Sequence, residues 1–178
     1  MHRMFAIAGF FAGALGTAGA LAAADSKPTD PQIAHIAYTA DVLDIEAGKQ
    51  ALDKSKNQDV RAFAQQMVGD HTAVNEQALA LVKKLNVTPE DNPTSKALTQ
   101  SAEAERKKLS NLDGSAFDKA YVDNEVAYHK AVNSALSKTL IPDAQNAELK
   151  SLLEKGLKGI RKPSSARRES GKAAALTT

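Results

Sequence analysis

Between Asn57 and Asn86 the apolar side chains fall at spacings of three and four: Val60, Phe63, Ala64, Met67, Val68, Val74, Ala78, Leu81, Val82 and Leu85, with His71 on the same face. At 3.6 residues per turn this is a one-sided helix of about seven turns. Asn57 suits its start. The segment from Asn86 to Pro93, which holds two prolines, two asparagines and two acids, suits its end. A helix with one long apolar face does not hold itself in water and needs packing partners.

The neighbouring segments supply such partners. Thr29-Asp30-Pro31 has a capping side chain and then a proline in the first turn. From there Ile33, Ile36, Ala37, Ala40, Leu43, Asp44, Ala47 and Ala51 mark one face of a helix running to about Ser55. Thr94 caps a third, thinner helix with Leu98, Ala102, Glu105, Leu109 and Leu112 along its stripe. Asp113-Gly114 breaks it, and Ser115 restarts a fourth with Phe117, Tyr121, Glu125, Tyr128, Val132, Ala135 and Leu136. Pro142 opens a fifth, with Leu149, Leu152, Leu153 and Leu157 inward. No useful length alternates with period two, which excludes a transmembrane barrel. Long stripes and short turns predict an all-α, up-down four-helix bundle with the thin helix as a connector.

The first residues read differently. Met1–Arg3 is a short basic start, Met4–Ala24 is uncharged and rich in Ala, Gly, Phe and Leu, and Ala22-Ala23-Ala24 is a small-residue cleavage pattern. This layout predicts a secretory signal peptide over residues 1–24, with a mature chain from about Asp25 exported to a bacterial periplasm. The mature chain has no predicted transmembrane span. There is no cysteine, which excludes disulfides, thiolate metal sites, iron–sulfur clusters and a catalytic thiol.

Polar residues on the apolar stripes carry the chemistry. Asp44 lies between Ala40 and Ala47, His71 between Met67 and Val74, and Glu125 between Tyr121 and Tyr128. His129 follows Glu125 by four, so both can meet one ligand. Glu46 sits about 100° from the apolar centre of its helix. A buried carboxylate or imidazole is costly unless paired or bound to a metal. Two readings stay open: a divalent transition-metal site drawn from Asp44, Glu46, His71, Glu125 and His129, or a hydrogen-bonded polar cluster. No residues are assigned as catalytic.

The run Ala62-Phe63-Ala64-Gln65-Gln66-Met67-Val68-Gly69-Asp70-His71-Thr72 is distinctive, as is Phe117-Asp118-Lys119-Ala120-Tyr121-Val122 followed by Glu125 and His129. With Asp44-Ile45-Glu46-Ala47-Gly48 they resemble the exported bacterial family called domain of unknown function 4142, whose members are often labelled outer membrane proteins. The resemblance covers about Pro31 to Lys158 and implies a ferritin-like bundle with no known activity. The two Glu-x-x-His pairs of di-iron carboxylate proteins are absent.

The resemblance also implies that the last helix continues with a phenylalanine, a histidine and a second histidine three residues on. Here the helix is expected to stop at Lys158, leaving 25–158 as the bundle domain and 159–178 as an irregular basic tail. Codons allowed for Lys162 to Ser170, read one nucleotide later, encode Ser-His-Gln-Ala-His-Ala-Glu-Ser. Two origins of the tail stay open: a one-nucleotide shift near codons 158–159, which this codon choice permits, and a genuine basic tail of the kind ordinary at a terminus. The charge agrees with a foreign end: the whole chain is +2, while Asp25 to Lys158 carries 17 basic and 20 acidic residues, a net of −3.

These features favour an exported helical-bundle protein of the periplasm or cell envelope, of unknown activity, for which metal binding through the inward acids and histidines is one of the two open readings. The alternatives are a ferritin-type metal-dependent oxidase and an interaction module facing an envelope partner or a second copy. No phosphate loop, nucleophile elbow or His-Glu-x-x-His occurs, and the Lys83-Lys84 and Lys107-Lys108 pairs lie on predicted solvent faces. Nucleic-acid binding is not expected.

Overall fold

A computed structural model describes residues 27–161, with side chains from 27 to 158. The signal-peptide expectation lies outside the described residues, as does the tail from residue 162 on. Helix α1 spans Asp30–Lys54, α2 Gln58–Lys84, α3 Pro93–Ser110 and α4 Gly114–Ala135. A π-helical turn, Leu136–Leu140, joins α4 to the short α5, Ile141–Asp143, and α6 spans Ala147–Arg161. No strand occurs among the described residues.

Local chemistry sets the helix starts. Thr29 and Gln32 form a reciprocal capping box ahead of α1. Asn57 accepts from the backbone of Asp59 and Val60. Helix α3 starts two residues earlier than a Thr94 cap implies, because the Asn92 side chain accepts the Ser95 N–H at 2.9 Å and Pro93 fills the first position. Pro142 does not open the last long helix. It lies in α5, and α6 is capped by Asn146, whose Oδ1 accepts from Glu148 and Leu149. The Asp30 carboxylate reinforces that corner by accepting from the backbone of Gln145 and Asn146 at 2.8 and 2.7 Å. Helix α6 also runs three residues past the expected stop, through Gly159 to Arg161.

Tertiary contacts fix the directions. Helix α2 runs antiparallel to α1: Arg61 donates to the Leu52 carbonyl at one end, and His71 meets Asp41 further along. Gly48 makes the close approach, since a Cβ there would stand 2.8 Å from Val68 Cγ2 and 3.2 Å from the Ala64 carbonyl oxygen. Helix α4 is also antiparallel to α1, with Ser55 Oγ donating to Asp118 and Tyr128 Oη to the Ala40 carbonyl. Helix α3 instead runs parallel to α1 along its side: His35 meets Ser95, Gln50 donates to the Arg106 carbonyl and Lys54 to that of Ser110. So α3 is the crossover that returns the chain to the start of α4, leaving α2 and α4 parallel. One such crossover is the ferritin-like connection.

The interior is two apolar clusters. The upper one joins Ile33, Ile36, Leu43, Leu98, Leu136, Leu140, Leu149 and Leu153. The lower one joins Ala47, Ala51, Val60, Ala64, Leu109, Phe117 and Tyr121, with the Phe117 and Tyr121 rings stacked 6.2 Å apart. The α2 stripe is less covered than its pattern implies: Phe63, Met67, Val74, Ala78 and Leu81 are only half-buried. They line a groove facing α4 and α6.

Candidate metal centre

Asp44, His71 and Glu125 are 2, 7 and 1 % exposed, so three ionisable groups occupy the interior of a small bundle. Each arrives by helix register. Asp44 follows Ala40 on the inner face of α1. His71 is one turn beyond Met67 on α2. Glu125 and His129 are one turn apart on α4.

Three ligand atoms converge. His71 Nε2 lies 3.0 Å from Asp44 Oδ2, His129 Nε2 lies 3.1 Å from the same oxygen, and the two Nε2 atoms are 3.4 Å apart. The contacts of Asp44 are not aligned as hydrogen bonds, and both of its buried oxygens lack a donor. The opposite nitrogen of each imidazole is anchored. His71 Nδ1 is 2.5 Å from Asp41 Oδ1, and His129 Nδ1 is 2.9 Å from the Glu125 carbonyl oxygen. A carbonyl can only accept, so His129 Nδ1 carries a proton, which leaves Nε2, on the side of Asp44 and His71, as the ring nitrogen able to ligate.

This donor set fits a metal ion. Bond lengths near 2.0–2.1 Å in a tetrahedral site place ligand atoms about 3.3 Å apart, and the three observed separations bracket that value. Imidazole and carboxylate together suit zinc, copper, iron or nickel. An outer carboxylate or carbonyl on the far nitrogen is the usual support for a metal-binding histidine.

The charges respond to this crowding. Burial alone would raise the Asp44 carboxyl, but the facing imidazoles of His129 and His71 outweigh it and hold the group below the ordinary carboxylate range. Burial works against a charged His71, yet Asp41 and Asp44 overcome it and push the imidazole up to about 10. Glu125 goes the other way. Burial, then the neighbouring Asp44 charge, raises it well above its usual value, so it is neutral where Asp44 is charged. Burial also raises Asp41, against the opposing pull of His71.

Of the residues singled out in the sequence, Asp44, His71, Glu125 and His129 come together. Glu46 does not: it faces α3 and pairs with Arg106, away from the cluster. Asp41 belongs to the cluster and was not anticipated. Its signal was its place three residues before Asp44, which puts both on one side of α1.

The sequence and the fold each have known relatives. The sequence profile of the family described as "Domain of unknown function (DUF4142)" matches residues 15–166. Among solved structures, the chain is similar to the crystal structure of a DUF305 protein from Streptomyces coelicolor whose name suggests secretion. The identity is 16% and the TM-score 0.66, over 83% of this chain and 92% of that one. That likeness is one of fold. No curated protein matches the chain.

Proposed function

The chain belongs to the DUF4142 family, and from that premise we propose that it is an exported metal-binding bundle holding one divalent transition-metal ion through Asp44, His71 and His129. The observation that carries this reading is the convergence of three ligand atoms within 3.4 Å, two of them on imidazoles anchored from behind. Asp41 acts as the outer partner of His71. Glu125 holds His129 through its backbone carbonyl and adds a buried carboxyl beside the site. When bound, the ion would take the place of the His71 proton beside the Asp44 oxygens, which accept no aligned hydrogen bond.

Export rests on the basic start, the apolar run and the small-residue pattern of residues 1–24. No helix among the described residues is long and apolar enough to cross a membrane. The periplasm or cell envelope is the address we assign.

The test is metal content and thermal stability of the purified chain. A single bound equivalent of zinc, copper, iron or nickel, with a rise in Tm that His71→Ala and Asp44→Ala abolish, is the expected result. No bound metal and no thermal shift with any of the four would overturn it.

A further inference from the structure

A tetrahedral ion takes four donors, and Asp44, His71 and His129 supply three. No fourth carboxylate or imidazole atom converges with them among the described residues. The other acids of the cluster stand behind the rings. Asp41 Oδ1 lies 2.5 Å from Nδ1 of His71, and Glu125 Oε2 lies 3.8 Å from Nδ1 of His129. Both carboxyl groups thus sit at the ring nitrogens opposite to those that meet at Asp44.

The remaining direction leads into the groove. Between α2 and the α4–α6 pair this groove measures about 800 Å³, and His71 and His129 line it. Asp44 does not line it, and its side chain is sealed in the core. His71 comes from the α2 wall, His129 from the α4 wall, and Asp44 closes the third side from α1. An ion held by these three atoms is therefore approachable from the side away from Asp44, between the two walls. About one turn earlier on each of these parallel helices stand Met67 and Val126, both lining the groove, and Val126 is half-exposed.

We propose that the metal centre exchanges a ligand with solvent: a small monodentate nitrogen or oxygen donor, entering through the groove past Met67 and Val126, completes the coordination of the ion held by Asp44, His71 and His129. This deepens the metal reading and rests on it. Structural zinc sites fill all four positions with protein ligands, whereas three protein ligands and one open position mark sites that take a ligand from solution. A groove of this volume lies within the roughly 300–1,000 Å³ usual for small-molecule pockets and has room for a molecule of imidazole's size. Asp41 and the Glu125 carbonyl, anchoring the two rings from behind, keep the protein ligands in place as the fourth donor comes and goes.

The experiment is titration of azide and of imidazole into the full chain loaded with cobalt(II) or copper(II), read by the visible absorption of the ion. A chain that holds only another metal is read by calorimetry against the metal-free chain. Each ligand should bind once per ion, and neither should bind the metal-free chain. Val126→Trp narrows the groove beside His129 without touching a ligand. It should leave the metal content at one equivalent and weaken imidazole about tenfold, with a smaller effect on the narrower azide. If that variant does not fold, the wild-type titration decides alone. Glu125→Gln should leave the spectrum before addition unchanged. The inference is overturned if neither ligand binds the loaded chain, or if Val126→Trp takes imidazole like the wild type. It is also overturned if Glu125→Gln alters the spectrum with no ligand added, since Glu125 is then the fourth donor. A chain that binds no metal removes the metal reading and this inference together, whereas a loaded chain that ignores both ligands removes this inference alone.

Discussion

Asp41 holds His71 from behind: its carboxylate oxygen lies 2.5 Å from Nδ1, while Nε2 on the far side of the ring faces Asp44. The contact fixes the ring plane and makes Nε2 a better electron donor. Asp41→Asn should therefore weaken metal affinity about 10- to 100-fold while leaving the helical content intact. Competition titration against a chelator of known affinity reads the change. An unaltered affinity would show that Asp41 is only a surface neighbour of the cluster.

The metal-free protein should lose stability on the alkaline side. The folded value of His71 is raised to about 10 from 6.5. Its contribution is complete below about pH 6.5 and disappears as pH rises through 10, because the unfolded chain releases the proton first. Denaturant midpoints between pH 6 and pH 10 should fall for the wild type and stay flatter for His71→Gln. Parallel curves for the two would remove His71 as the source.

Two glycines should respond with opposite signs to the same substitution. At Gly48 an added Cβ meets Val68 Cγ2 at 2.8 Å and the Ala64 carbonyl at 3.2 Å, and backbone cannot step aside as a side chain can. Overpacking of this kind costs about 1–3 kcal/mol and exceeds the gain in helix propensity of about 1 kcal/mol. At Gly156 nothing lies within 4 Å, so Gly156→Ala should gain about 0.5–1 kcal/mol. Urea unfolding of both variants checks the pair, and a stabilised Gly48→Ala would mean that α1 and α2 separate freely.

The gene should carry the shifted reading. Helix α6 starts beside the end of α2, where Lys84 meets Glu148, and runs parallel to α1 with Lys155 and Gly156 on the groove wall that His71 and His129 also line. A restored frame would extend the helix along that groove with two histidines three residues apart. Sequencing codons 158–170 decides between frames, and a chain built in the restored frame should bind metal at least about tenfold more tightly than this one. Codons that fail to encode Ser-His-Gln-Ala-His one nucleotide later would end the idea.

The helices were legible because their signals are local. The stripe from Val60 to Leu85, the Asn57 cap and the Pro31 start all act within a few residues, and α1 and α2 lie where they point. The cluster was legible for a related reason: Asp44, His71 and Glu125 interrupt apolar faces, and a face that is inward in one helix is inward in its partner. What escaped depends on the rotation of one helix about another. Glu46 lies on the α1 side that α3 covers, where Arg106 takes it. Asp41, at the edge of the stripe, is turned toward α2. The π turn at Leu136–Leu140 left no trace in the spacing, since its extra residue keeps both leucines buried.

The polar layer parts the interior into two hydrophobic cores, one around Ile36 and Leu149 and one around Ala64 and Phe117. Each is too small to fold by itself at this chain length. Among the described residues, the continuous helices, the Tyr128–Ala40 hydrogen bond and the Asp41, Asp44, His71 and His129 contacts span the boundary between them. A ligand seated there is a rivet: it stabilises by its saturation and also makes the upper half report what happens to the lower. On the proposed metal reading, an ion at this one position would couple the unfolding of the two halves.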